Sequence, residues 1–132
     1  MSKIIPTNKF KKQRKKVKKD ARWSRIFNGK VPFENDDRSP WKYIIDCFMN
    51  DEVINEYFYE HPITLTAKEK AEIRRRLGRD ASVDLRSIKE INALDLHFDG
   101  HNGDHLLLYV RTRYHIIYLI GIGTHSELFG SV

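Results

Sequence analysis

Cysteine is almost missing from this sequence: of 132 residues only Cys47 carries a thiol. No internal disulfide can form, which excludes the small disulfide-stapled classes. Cys47 sits in the apolar run Tyr43-Ile44-Ile45-Asp46-Cys47-Phe48, where a small core residue is expected rather than a nucleophile. A reducing, cytoplasmic compartment is the matching expectation. Long hydrophobic runs are missing too. The longest, residues 116–122, falls far short of the roughly 20 residues a spanning helix needs, and no stretch resembles a secretory leader. A soluble protein is expected, with no membrane partner. Acid is scarce at the start: residues 1–30 hold twelve Lys and Arg against Asp20 alone, a net +11, whereas the rest holds twelve basic against seventeen acidic residues, a net −5. No internal repeat occurs, and no low-complexity segment beyond that lysine-rich arm.

A hydrophobic content of 40% with seven Phe, six Tyr and two Trp suits a globular chain, read as one domain over residues 1–132. A basic helix is expected over about residues 7–27, with Phe10, Val17 and Ala21 on its apolar stripe, preceded by a short edge strand at Lys3-Ile4-Ile5. Ser39 followed by Pro40 starts a second helix that buries Trp41, Ile44, Ile45, Phe48 and Met49. Residues 53–59 either continue it or form a separate short helix, and His61-Pro62 ends the helical stretch. Thr66-Ala67-Lys68-Glu69 has capping-box spacing and opens a peripheral third helix, with Gly78 suited to end it. Residues 83–92 favour a further short helix. From Leu94 the period becomes two. Leu94, Leu96 and Phe98 alternate with Asp95, His97 and Asp99, and two more strands follow over residues 105–111 and 114–122. The reading is α+β: N-terminal helices on a small antiparallel sheet (about residues 94–123), with a helical insertion around residues 64–92.

Four of the six histidines fall in or beside that sheet: His97, His101, His105 and His115. A metal reading would take His97, His101, Asp104 and His105 as ligands. Zinc sites usually draw on cysteine or a second similarly spaced pair, and the turn from Asp99 to Asp104 lacks an EF-hand register. Metal-free acid–base chemistry is preferred, because histidine both takes and gives protons near neutrality. By strand parity Asp95 and His97 project opposite Leu94, Leu96 and Phe98. An open face there would make His97 part of a wet, concave site.

The segment Gly123-Thr124-His125-Ser126-Glu127-Leu128-Phe129, preceded by Asp104-His105-Leu106-Leu107-Leu108-Tyr109, resembles the C-terminal half of the RelE superfamily of bacterial toxins, closest to its YafQ-like mRNA interferases. Glu60-His61-Pro62-Ile63 is similar to the Asp-His-Pro-Leu of that branch, and His97 falls at its strand histidine. The resemblance implies an active site of His61, His97, Asp104 and His125, with Phe129 beside it. It also implies a reaction in which the ribose 2′-hydroxyl of mRNA attacks the adjacent phosphate in the ribosomal A site. A base takes the hydroxyl proton, an acid protonates the leaving 5′-oxygen, and a cation balances the phosphorane. On this reading Asp104 or His97 is the base, His125 the acid, and His61 binds phosphate. Where the family carries Arg-Thr-Gly, this chain has Gly121-Ile122-Gly123, so Arg111 or Arg113 is the candidate replacement cation.

The basic arm suggests a polyanionic partner, since unrelieved like charge at helical spacing costs stability. Its apolar face is too thin for membrane insertion, which favours rRNA. Lys9, Lys11, Lys12, Arg14, Lys15, Lys16, Lys18, Lys19 and Arg22 are its expected contacts, joined by Arg111 and Arg113. The expected protein is the ribosome-associated, metal-independent endoribonuclease toxin of a type II toxin–antitoxin system, needing no cofactor and held by a cognate antitoxin. The alternative is a non-catalytic RNA- or ribosome-binding protein of the same fold. A hydrolase using a metal at the histidine-rich turn is the third reading.

Overall fold

The computed structural model describes residues 2–80, 92–112 and 115–130. Strand β1 (Lys3–Pro6) leads through Thr7 into helix α1 (Asn8–Lys18), whose first turn is capped by the Thr7 hydroxyl accepting from the Phe10 N–H at 3.0 Å. Phe10 and Val17 bury the helix on the sheet. The expected basic helix over residues 7–27 is broken at Asp20. That residue is extended (φ −88°, ψ 121°), and its carboxylate accepts the Arg22 N–H, so it caps a new start instead of continuing the old turn. A 3-10 turn (Ala21–Trp23) and helix α2 (Ser24–Asn28) follow, and the break turns Trp23 and Ile26 into the core.

Helix α3 (Pro40–Asn50) begins as expected, with Ser39 as cap and Pro40 at the first position. Ile44, Cys47 and Phe48 are buried, whereas Met49 lies one step off that stripe and is 44% exposed. Residues 53–59 hold only a 3-10 turn (Glu56–Phe58), which sinks Phe58 and leaves Val53 outside. Strand β2 (His61–Pro62) follows. Helix α4 (Ala67–Asp80) starts at the expected capping box, where Thr66 and Glu69 exchange hydrogen bonds of 3.0 and 3.1 Å. It runs through Gly78, since one interior glycine costs a helix only about 1 kcal/mol. Most of the short helix expected over residues 83–92 lies outside the described residues; Asn92 opens strand β3 (Asn92–His97).

Strands β4 (Leu106–Arg111) and β5 (Ile116–Gly123) complete the expected antiparallel meander. The sheet order is β1-β5-β4-β3-β2, with β2 antiparallel to β3 and β1 parallel to β5. The edge strand foreseen at the start of the chain therefore makes the sheet mixed. One face carries Leu96, Phe98, Leu107, Tyr109, Ile117 and Leu119 against Phe10, Ile44 and Phe48. The other carries Ala93, Val110 and Tyr118 against Leu65 and Ile73 of the insertion, a second, smaller core. A register shift opposite Leu108 and Tyr109 leaves Ile120 as the extra residue and returns Ile122 to the first core. Helix α5 (His125–Phe129) ends the description, capped by Thr124 and Glu127 in a reciprocal box. No described helix is long and apolar enough to cross a membrane.

Candidate active site

The site grows from the turn between β3 and β4. Asp99 folds its carboxylate into that turn and accepts the N–H groups of Asp104 and His105, each at 3.2 Å. A Cβ on Gly103 would stand 1.8 Å from Asp99 Oδ1, so only glycine leaves room for this bracing. The braced turn delivers Asp104 to helix α5. There its Oδ1 accepts the His125 backbone N–H at 2.8 Å and meets His125 Nδ1 at 2.5 Å. Partial burial alone would raise the Asp104 carboxyl. The His125 N–H and ring outweigh it and hold the group below the usual carboxylate range. With Nδ1 engaged, the half-exposed His125 ring presents Nε2 to solvent.

Beside this dyad lies a second group. Pairing of β2 with β3 sets His61 opposite Asp95, and His61 Nε2 reaches Asp95 Oδ1 at 2.9 Å. The contact is off the line of a good hydrogen bond, so the buried Oδ1 has no fully aligned partner. His61 Nδ1 donates to the Tyr59 carbonyl at 2.7 Å. Both His61 nitrogens thus face oxygen atoms, the Tyr59 carbonyl and the Asp95 carboxylate. Burial pushes the Asp95 carboxyl above its ordinary value, against the pull of the nearby histidines. His97 Nδ1 donates to the Gly103 carbonyl at 3.1 Å, leaving its Nε2 lone pair on the Asp95 side, 3.8 Å from Oδ1. Burial holds the His97 ring below its ordinary value, with the Asp95 charge opposing, so it is a neutral base. The ring centroids of His61 and His97 are 5.8 Å apart and those of His97 and His125 5.4 Å. Phe129, half exposed, stands 6.3 Å from His125.

Thus His61, His97, Asp104, His125 and Phe129 come together. The face carrying Asp95 and His97 is not open, however. Both are about 95% buried, closed over by the rings of Tyr59, His61 and His125. Asp95 and Tyr59 went unrecognised in the sequence as site residues. Asp95 shares His97's strand parity, but only the two-residue β2 pairing reveals its partner. The metal quartet His97, His101, Asp104 and His105 is not assembled. His105 binds Asp99 at 2.6 Å and the Arg22 carbonyl at 3.1 Å, and His101 lies against Tyr59 at the rim. Among the described residues, the one set whose ligand atoms all lie within 4.8 Å of one another is His61, Asp95 and His97. Two imidazoles and a carboxylate suit a divalent transition metal.

The expected cations fare differently. Lys9, Lys11, Lys12, Lys15, Lys18 and Lys19 are exposed, Lys18 lying over the Phe27 ring. Lys16 reaches Glu127 of α5 at 3.5 Å, placing the arm beside the dyad. Arg14 lies flat over the Trp41 ring, its Nε buried without a partner, so it is packing more than display. Arg111 donates to Glu60 at 3.2 Å and covers the rings of Phe48 and Tyr109, on the first-core side of the sheet and away from His97. It is not the replacement cation. Arg113 lies outside the described residues. Position 121 itself is filled by its neighbours, since a Cβ there would meet Leu128 at 3.2 Å and Leu108 at 3.3 Å. Arg22, bound to Asp20 at 2.7 Å, is the arginine whose charge is felt at Asp104 and Glu127.

The mixed sheet with α1 and α3 on one face, α4 against the other and the small C-terminal helix over its end is the α+β fold of the RelE-type toxins. The solved structures with this fold include YafQ, in the Escherichia coli DinJ–YafQ complex (TM-score 0.58, 18% identity, covering 98% of this chain and 100% of that one). They also include a metal-bound toxin from Helicobacter pylori (0.58, 16%, with the same coverage of both chains). A copper-bound mutant toxin from Helicobacter pylori is similar as well (0.57, 18%, again 98% and 100%). At these identities the likeness is one of fold. No family profile matches the sequence, and no curated protein matches it.

Proposed function

We propose that this protein is the toxin of a toxin–antitoxin pair and an endoribonuclease that cuts mRNA by attack of a ribose 2′-hydroxyl on the adjacent phosphate. The observation that carries the reading is the Asp104–His125 dyad set beside a buried, neutral His97. One of the two candidate bases, Asp104 or His97, takes the 2′-hydroxyl proton as the O2′–P bond forms. The P–O5′ bond breaks, and His125 protonates the departing O5′ from Nε2 while Asp104 holds the ring. His61, held by Asp95, binds the phosphate, and Arg22 adds positive potential. The products are a 2′,3′-cyclic phosphate and a 5′-hydroxyl, so DNA is inert. The fold shared with YafQ, solved in complex with DinJ, supports a protein antitoxin as partner. The lysine arm along α1 supports contact with rRNA, and the absence of a membrane-crossing helix among the described residues suits action in the cytoplasm.

The test is mRNA cleavage by His125→Ala and Asp104→Ala. Each is expected to lose activity by on the order of a hundredfold while keeping the parent's circular dichroism. Cleavage within about threefold of the parent would place the chemistry elsewhere.

A second reading rests on His61, Asp95 and His97, which fit a transition metal, and on two toxins of this fold that are described as metal-bound. We expect cleavage of a minimal RNA to survive EDTA. Activity lost to EDTA and restored only by zinc or manganese would favour the metal.

A further inference from the structure

On the far side of the Asp99 turn from His125 lies a cavity of about 380 Å³ that the chemistry above does not use. Its size falls within the usual range of small-ligand sites, about 300–1,000 Å³. Arg22, Arg25 and Lys30 line it together with Tyr57, Asp99 and His105. The Arg25 side chain makes no hydrogen bond or ion pair with any described residue. Lys30 has only a loose surface pair with Asp37 at 3.4 Å, in which both side chains are at least 70% exposed. His105 is held between two acceptors, Asp99 Oδ2 at 2.6 Å and the Arg22 carbonyl at 3.1 Å. Asp99 is engaged by the turn and by His105, so of the cavity's cations Arg22 is matched by Asp20, Lys30 has only its loose surface pair and the Arg25 side chain has none. Tyr57 is 36% exposed, and its ring is fixed by Phe33, Phe58 and the backbone of Gly100.

Fixed aromatic surface beside unpaired cations is how proteins hold single-stranded RNA: the base stacks and the phosphate is neutralised. The wall residue Asp99 also holds the backbone of Asp104, so a single turn separates the cavity from the dyad. We propose that this cavity is a subsite for a nucleotide of the RNA strand flanking the scissile phosphate, with Arg25 and Lys30 on its phosphate and Tyr57 under its base. The proposal rests on the nuclease reading for the identity of the strand.

The test separates the two. Fluorescein-labelled oligoribonucleotides are titrated into the His125→Ala protein, with and without the paired change Arg25→Gln and Lys30→Gln. The paired change is expected to weaken binding of a decanucleotide about tenfold and to reduce the salt slope by about two units, one per lost phosphate contact. It should leave a dinucleotide, too short to reach both places, unaffected. Tyr57→Leu should weaken the decanucleotide about tenfold as well, whereas Tyr57→Phe keeps the ring and should bind as the parent. Decanucleotide binding unchanged by the paired change, or equal losses for both lengths, overturns the subsite. So does a decanucleotide that does not bind at all. Should the parent cleave no RNA while the His125→Ala protein still shows these losses, the nuclease reading falls and the nucleotide site stands.

Discussion

The contact between His61 and Asp95 makes a prediction that a packing role would not. Asp95→Asn keeps the volume and removes the carboxylate that faces His61. Cleavage is expected to fall on the order of a hundredfold. Cleavage within about threefold of the parent would leave Asp95 a mere buried polar residue. Stability follows a different group. The His97 ring is pushed below its ordinary value of 6.5 by burial, so the folded state prefers it neutral. That contribution is complete above pH 6.5 and is lost as the pH falls through the lowered folded value. Asp104, also lowered, loses its contribution further down, whereas the raised Asp95 works in the opposite sense. Urea melts should therefore show stability dropping from pH 7 towards pH 5, and His97→Gln should flatten the drop. At this scale the motif around His125 and the turn at Asp104 pointed to two residues that the fold does bring into contact. Asp95 stayed hidden because its meaning depends on a two-residue strand paired across 34 positions of chain.

Helix α1 and helix α4 make separate demands. On α1, Lys11, Lys12 and Lys15 point to solvent, whereas Lys16 is drawn to Glu127. Changing Lys11, Lys12, Lys15 and Lys16 to Gln should weaken ribosome binding and flatten its salt dependence by about one unit per lost phosphate contact. A slope that stays put would mean the arm is only a solvated helix. On α4, Ile73 closes the second core with Leu65, Ala93, Val110 and Tyr118. Ile73→Ala should cost roughly 2 kcal/mol or more in a denaturant melt. Capping signals at Ser39 and Thr66 were readable because a cap is local chemistry. The break at Asp20 was not: the lysine pattern runs straight through it, and the gain lies in burying Trp23, a distant packing event.

At the scale of the molecule, the meander over residues 94–123 was visible as a period, but the parallel seat of β1 was not, since its partner lies more than a hundred residues away. That pairing has a consequence in time. Lys3 to Pro6 meet Ile116 to Leu119 and nothing else in the sheet. Contacts this distant in sequence are slow to form, because the whole intervening loop must close first. Helix α1 also lies along β5, through Gln13 on the Ile122 N–H, so it has no bed until that strand exists. His125 follows β5 directly. The sheet that seats the arm and the dyad that would cut RNA therefore depend on the same late strand, and a growing chain cannot become active in stages.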